Sequence, residues 1–101
     1  MSRIYKILPR AEWEAAVAAG VFEGAGIDRK DGFIHFSSAE QLPETLRLHF
    51  AGQTDLVIVG VETESLGDRL KWEPSRGGTL FPHLYSPLPT SLAVSVEPAG
   101  G

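Results

Sequence analysis

Residues 56–61, LVIVGV, form a near-continuous apolar run between Gly52 and the polar Glu62-Thr63-Glu64. A short β-branched run without alternation is the pattern of a strand covered on both faces, so this segment is expected at the centre of a sheet. Downstream, Ser65-Leu66-Gly67-Asp68 reads as a turn, residues 69–73 alternate as an amphipathic strand, and residues 92–96 (LAVSV) read as a last strand. Upstream, residues 33–36 (FIHF) read as a buried strand, and residues 3–8 (RIYKIL) as another, closed by Pro9.

Two helices lie between these strands. The first begins at Pro9 or Arg10, carries Trp13, Ala16 and Val17 as an i, i+3, i+4 stripe, and stops at Gly20, with Glu12 and Glu14 placed to favour its dipole. The second carries Leu42, Leu46, His49 and Phe50 on one face. Ser38 and Gln41 ahead of it have capping-box spacing, and Pro43 sets the regular helix to start near that residue. Residues 23–32, EGAGIDRKDG, read as a loop. The expected fold class is α+β: one domain over residues 1–97 with about four to six strands and two main helices, followed by a tail at 98–101.

Composition narrows the function classes. A chain of 101 residues, 43% hydrophobic and 22% charged, supports a single core and lacks the signature of disorder. Nine basic against 13 acidic residues, with the basic ones scattered, argue against duplex nucleic acid as a partner. With no cysteine, disulfides, thiolate metal sites and cysteine nucleophiles are excluded. No run approaches the roughly 20 apolar residues of a membrane span, and Pro9, Arg10, Glu12 and Glu14 interrupt any signal-peptide core, so a cytoplasmic protein is expected. Histidines 35, 49 and 83 lack metal-ligand spacing, and the common nucleotide and hydrolase motifs are absent.

The chemistry concentrates in residues 72–89, WEPSRGGTLFPHLYSPLP. Its Gly and Pro content predicts an irregular, rigid segment that aims side chains from a loop. An extended backbone between Pro82 and Pro87 places His83 and Tyr85 on one face, where imidazole and phenol can donate to an oxyanion, move a proton, or stack on a base. Glu73 faces away from Leu70 and Trp72. Arg76 can hold an anion bidentately, with Gly77 and Gly78 allowing close approach. The competing role for this stretch is a structural belt packed on the sheet. In the strand at 33–36, His35 shares a face with Phe33 and Ser37, either as a histidine bonded to a carbonyl or as the wall of a polar pocket beside a helix start. His49 is read as a helix-face residue near a C-terminus and is left outside the site.

YKIL at residues 5–8, the Trp-containing helix, DGFIHFSS at 31–38 followed by Gln41, the strand at 56–61 and KWEPSRGGTLFPHLYSPLP at 71–89 together resemble a bacterial and plant family known as domain of unknown function 952. The resemblance spans nearly the whole chain. Lys6 stands where many relatives have histidine, and Ser86 where glycine is common.

That family is similar at fold level to the ADP-ribosyltransferases, which bind NAD in a cleft between two sheets. The resemblance implies a small split mixed sheet and a cleft for NAD or a related nucleotide. It also implies roles: Lys6 or His35 on an early strand, Ser37 on a second, and Glu73 late in the chain. In this scheme Glu73 bonds the nicotinamide ribose and stabilises oxocarbenium-like charge, and His35 or His83 anchors ribose or phosphate. Glu73, His35 and His83 are thus the catalytic candidates, and Ser37, Tyr85, Arg76 and Trp72 the ligand-contacting ones. The alternative function is a non-catalytic module for a small molecule or a protein.

Overall fold

The computed structural model describes residues 2–75 and 77–99. Strand β1 (Arg3–Pro9) leads into helix α1 (Arg10–Ala19), and β2 (Val21–Phe22) precedes a short helix α2 (Ile27–Asp31). The two-residue strands β3 (Ile34–His35) and β4 (Ser37–Ser38) lead to α3 (Leu42–His49), and β5 (Leu56–Glu62) follows. Strands β6 (Leu70–Ser75), β7 (Thr79–Leu84), β8 (Leu88–Pro89) and β9 (Ala93–Pro98) complete the described chain.

The apolar run is central, as its pattern predicts. In the sheet β4-β1-β5-β9, β5 pairs with β1 from Arg3↔Glu62 to Pro9↔Leu56, and with β9 on its other side. Ile4, Leu8, Val57, Val59 and Val61 fill the core against Trp13, Phe22, Ile34, Phe36 and Leu84. Helix α1 buries Trp13 and Ala16, whereas Val17, expected on the same stripe, is half-exposed. Gly20 ends α1 at φ 85°, and its N–H returns to the carbonyls of Ala16 and Val17. At the start of α3 the capping-box bonds form reciprocally: Ser38 N–H to Gln41 Oε1 at 3.0 Å, and Gln41 N–H to Ser38 Oγ at 3.2 Å. They close a turn ahead of the helix, which begins at Leu42 with Pro43 in its first turn.

Four expectations are corrected. The mixed sheet does not form: every strand pairing among the described residues is antiparallel. A parallel pair needs a crossover that returns to its own sheet, and α1 instead delivers the chain to β2, which pairs with β8 in a separate sheet. Residues 23–32 are not all loop, since α2 occupies 27–31.

Residues 72–89 are not an irregular loop either. They lie mostly in a β-hairpin of β6 and β7, with β3 on its far side in the order β3-β7-β6. The prolines are accommodated by position. Pro74 lies on the edge strand β6, and the Pro82 carbonyl accepts the Phe36 N–H at 3.0 Å, just past the last β3 pair, His35↔His83. An N–H at residue 82 would point to the same side as this carbonyl, away from β6, so Pro82 costs no bond of the β6–β7 ladder. Strand β9 continues through Pro98, which the sequence placed in a tail.

Leu84 pairs in register with Ile34 and with Leu70 and is 1% exposed, whereas Val94 is 49% exposed. Leu84→Ala should cost about 2–5 kcal/mol in urea denaturation, against no more than about 0.5 kcal/mol for Val94→Ala. Similar costs at the two positions would contradict this packing.

Candidate functional site

The site is assembled where the chain crosses from one sheet to the other. Residues 34–38 pair first with β7 and then with β1, so Phe33 and His35 face the hairpin while Ser37 joins the main sheet. Helix α2 closes over this crossing. Gly24, at φ 113°, lets the preceding turn pass against it, and a side chain there would meet Asp28 Cβ at 2.9 Å.

Asp28 is the hub. It is 2% exposed. Its Oδ2 accepts Lys6 Nζ at 2.7 Å and the Ala25 N–H at 3.0 Å. Its Oδ1 accepts the His35 N–H at 3.1 Å and lies 2.6 Å from His35 Nδ1. Burial pushes this carboxyl up, but the His35 bond, the Lys6 charge and bond and the Ala25 amide together outweigh it and hold Asp28 down at about 2. Lys6 shares the core face of β1 with Ile4 and Leu8 and is itself buried; burial pushes the ammonium below its ordinary value while Asp28 opposes the fall. His35 Nε2 lies 3.0 Å from Asp31 Oδ2, so both ring nitrogens of His35 are engaged.

A second carboxylate–imidazole unit stands on the hairpin. Glu73 Oε1 takes both His83 Nδ1, at 2.8 Å, and the Tyr85 hydroxyl, at 2.7 Å. The His83 bond first and the Tyr85 bond second hold Glu73 below the usual carboxylate range, and Glu73 in turn raises the Tyr85 phenol. Phe33 joins the two units. Its ring stacks on His83 at 4.2 Å and lies 4.6 Å from His35 and 5.1 Å from Tyr85. The two imidazoles are 5.3 Å apart, edge to face.

A cleft of about 600 Å³ opens beside this cluster, lined among others by Lys6, Asp28, His35, Ser37, Phe81 and His83. Ser37 is buried and shares a 2.9 Å hydroxyl contact with Thr45. Tyr85 borders a second hollow of about 470 Å³ together with Phe33. The structure therefore places His35, Ser37 and His83 on the cleft and ties Glu73 and Tyr85, which do not line it, to that wall through the Glu73–His83 bond. Trp72 lies on the opposite face of β6 from Glu73 and is 44% exposed, away from His83. Arg76 lies outside the described residues. His49, set aside on sequence, is exposed at the end of α3 yet borders the cleft.

Asp28, Asp31 and Phe33 were not among the sequence candidates. A signal for Asp28 existed in Lys6: a cation in core register between Ile4 and Leu8 needs a buried counter-charge.

The Asp28 value of about 2 lies below the ~3.9 of an unfolded aspartate. Its stabilisation is therefore complete above the unfolded value and is lost as pH falls through about 2, a contribution on the order of 2–3 kcal/mol. Urea midpoints should fall between about pH 4 and pH 2, and Asp28→Asn should flatten that slope. Lys6→Met, which strips the counter-charge, should cost about 3–5 kcal/mol, with part of the loss recovered in the double variant Lys6→Met, Asp28→Asn. An additive double variant would show that the pair is not coupled.

Solved structures of CC0527 from Caulobacter crescentus resemble the chain over nearly its whole length. The X-ray structure is 55% identical with a TM-score of 0.93, covering 96% of this chain and 85% of that one. The solution NMR structure is 55% identical with a TM-score of 0.87, covering 97% and 84%. No curated protein matches the chain. The model of the family described as "Protein of unknown function (DUF952)" matches residues 7–96, and the chain belongs to that family.

Proposed function

We propose that the cleft between the hairpin and the main sheet binds NAD or a related nucleotide, in the manner of the ADP-ribosyltransferase-like folds, with His83, which lines it, and Glu73, bonded to His83 beside it, as the reactive centre. The carrying observation is the state of Glu73. Its Oε1 is fixed by two donors, and its Oε2 has no hydrogen-bond partner among the described residues. A carboxylate held ionised with one oxygen to spare is suited to a ribose hydroxyl, and it stabilises positive charge growing on the sugar as a glycosidic bond opens. Phe33 and Tyr85 offer ring faces beside it for a nicotinamide or a base. The alternative, a non-catalytic binding module, draws on the half-exposed Tyr85 at the second hollow.

The two readings separate on one variant. Glu73→Gln keeps the shape of the site and removes its charge. In an enzyme it should lower nicotinamide release by at least about 100-fold while NAD still binds within a few-fold, as followed by His35 and His83 ring shifts in an NMR titration. Saturable shifts with no nicotinamide released by the unaltered protein would favour the module. No shifts at about 1 mM NAD, the weak end of enzyme substrate affinities, would overturn the nucleotide reading.

A further inference from the structure

Resting on the nucleotide reading, we infer that His83 is the general base of this site and that the group it activates is a hydroxyl, of an alcohol or of water. Of the two histidines in the cluster, only His83 has a nitrogen to spare. His35 is closed at both ends, Nδ1 by Asp28 at 2.6 Å and Nε2 by Asp31 at 3.0 Å. His83 is closed at Nδ1 alone, by Glu73 at 2.8 Å.

The state of Nε2 follows from three observations. Glu73, ionised and also accepting from Tyr85, can only accept, so Nδ1 carries the proton and the neutral ring keeps its lone pair on Nε2. Nε2 has no partner among the described residues, and among those residues no buried side-chain nitrogen or oxygen lacks one. The 4% of His83 that remains exposed therefore includes Nε2, and the residue lines the cleft. The ring is also held in place: Phe33 stacks on one face at 4.2 Å and His35 abuts it at 5.3 Å. A buried imidazole, oriented by a carboxylate and presenting one lone pair to a cleft, is arranged to take a proton rather than to anchor a phosphate.

The acceptor class follows from the proton. A guanidinium keeps its proton far above the range in which imidazole accepts one, and a free amine is largely ammonium at neutral pH, with no lone pair to attack. A hydroxyl is neutral, donates a hydrogen bond to Nε2, and sheds its proton as its oxygen attacks. In the step, the hydroxyl oxygen forms a bond to ribose C1′. The C1′–N bond breaks with its electron pair going to the pyridinium nitrogen, which releases neutral nicotinamide. The hydroxyl proton passes to Nε2, and the imidazolium so formed is stabilised by Glu73. The groups that set the proton affinity of His83 are Glu73 and Lys71 on β6, Tyr85 beyond β7, and His35 on β3, itself tied to Asp28 and Asp31 of α2.

The test is nicotinamide release from NAD by the full chain as a function of pH, with and without added methanol. On the acid side log kcat/KM should rise with unit slope to a plateau, and methanol should divert product from ADP-ribose to its methyl riboside. His83→Gln should lower release by about 10²–10⁴-fold with NAD binding retained within a few-fold. Because residue 83 is packed, Tyr85→Phe is the second variant. It removes one donor from Glu73, so Glu73 should hold the His83 proton more strongly and the acid limb should move to higher pH. A folded His83→Gln protein with undiminished release, an acid limb unmoved in Tyr85→Phe, or no methyl riboside would each overturn the inference. NAD bound without any nicotinamide release would overturn it and leave nucleotide binding standing. NAD not bound at all would remove both.

Discussion

The buried carboxylate of Asp28 is the constraint on which the rest of this site depends. It gathers Lys6 from β1, the Ala25 amide from the turn before α2, and both the backbone and the ring of His35 from β3. Each of these groups would be costly in the interior alone; together they satisfy one another. Such a cluster need not add stability relative to an apolar replacement. What it does supply is position: it fixes a short helix, too short to hold by itself, against the point where the chain passes between two sheets.

That arrangement gives the two imidazoles different fates. Both are backed by a carboxylate through Nδ1, and both touch Phe33. His35 is also held from the outside by Asp31, which makes it part of the wall. His83 is reached from the hairpin side only, so its remaining nitrogen is left to the cleft. The difference is produced by α2: the same short helix that supplies the hub also supplies the second carboxylate that closes His35.

Much of this was legible in the sequence where a pattern has a direct mechanical meaning. The apolar run at 56–61 became the central strand because it needs cover on both faces, Gly20 ended α1 in the left-handed conformation, and Ser38 and Gln41 exchanged capping-box bonds. His83 and Tyr85 share a side, both reaching Glu73, as an extended backbone requires. Where the reading failed, local composition was a poor guide to tertiary context. The Gly and Pro residues of 72–89 suggested an irregular loop, but Pro74 and Pro82 both fall where the β6–β7 ladder loses no bond, Pro74 on the edge strand and Pro82 with its missing N–H turned away from β6. The Gly-rich 23–32 segment concealed a buried Asp28, because one long-range ion pair with Lys6 orders a stretch whose own propensities favour a loop. No local pattern could report Phe33 as the ring joining both histidines, which depends on the β3–β7 register.

Amide hydrogen exchange at Ala25 and His35 tests the hub most directly, since both N–H groups donate to Asp28 rather than to a regular ladder partner. Protection at both amides approaching that of the β1–β5 ladder, and lost together in Asp28→Asn while the ladder stays protected, is the result expected of a site organised by this carboxylate. Exchange of Ala25 at the rate of an open loop in the unaltered protein would contradict it, and with it the claim that α2 is a fixed wall of the cleft.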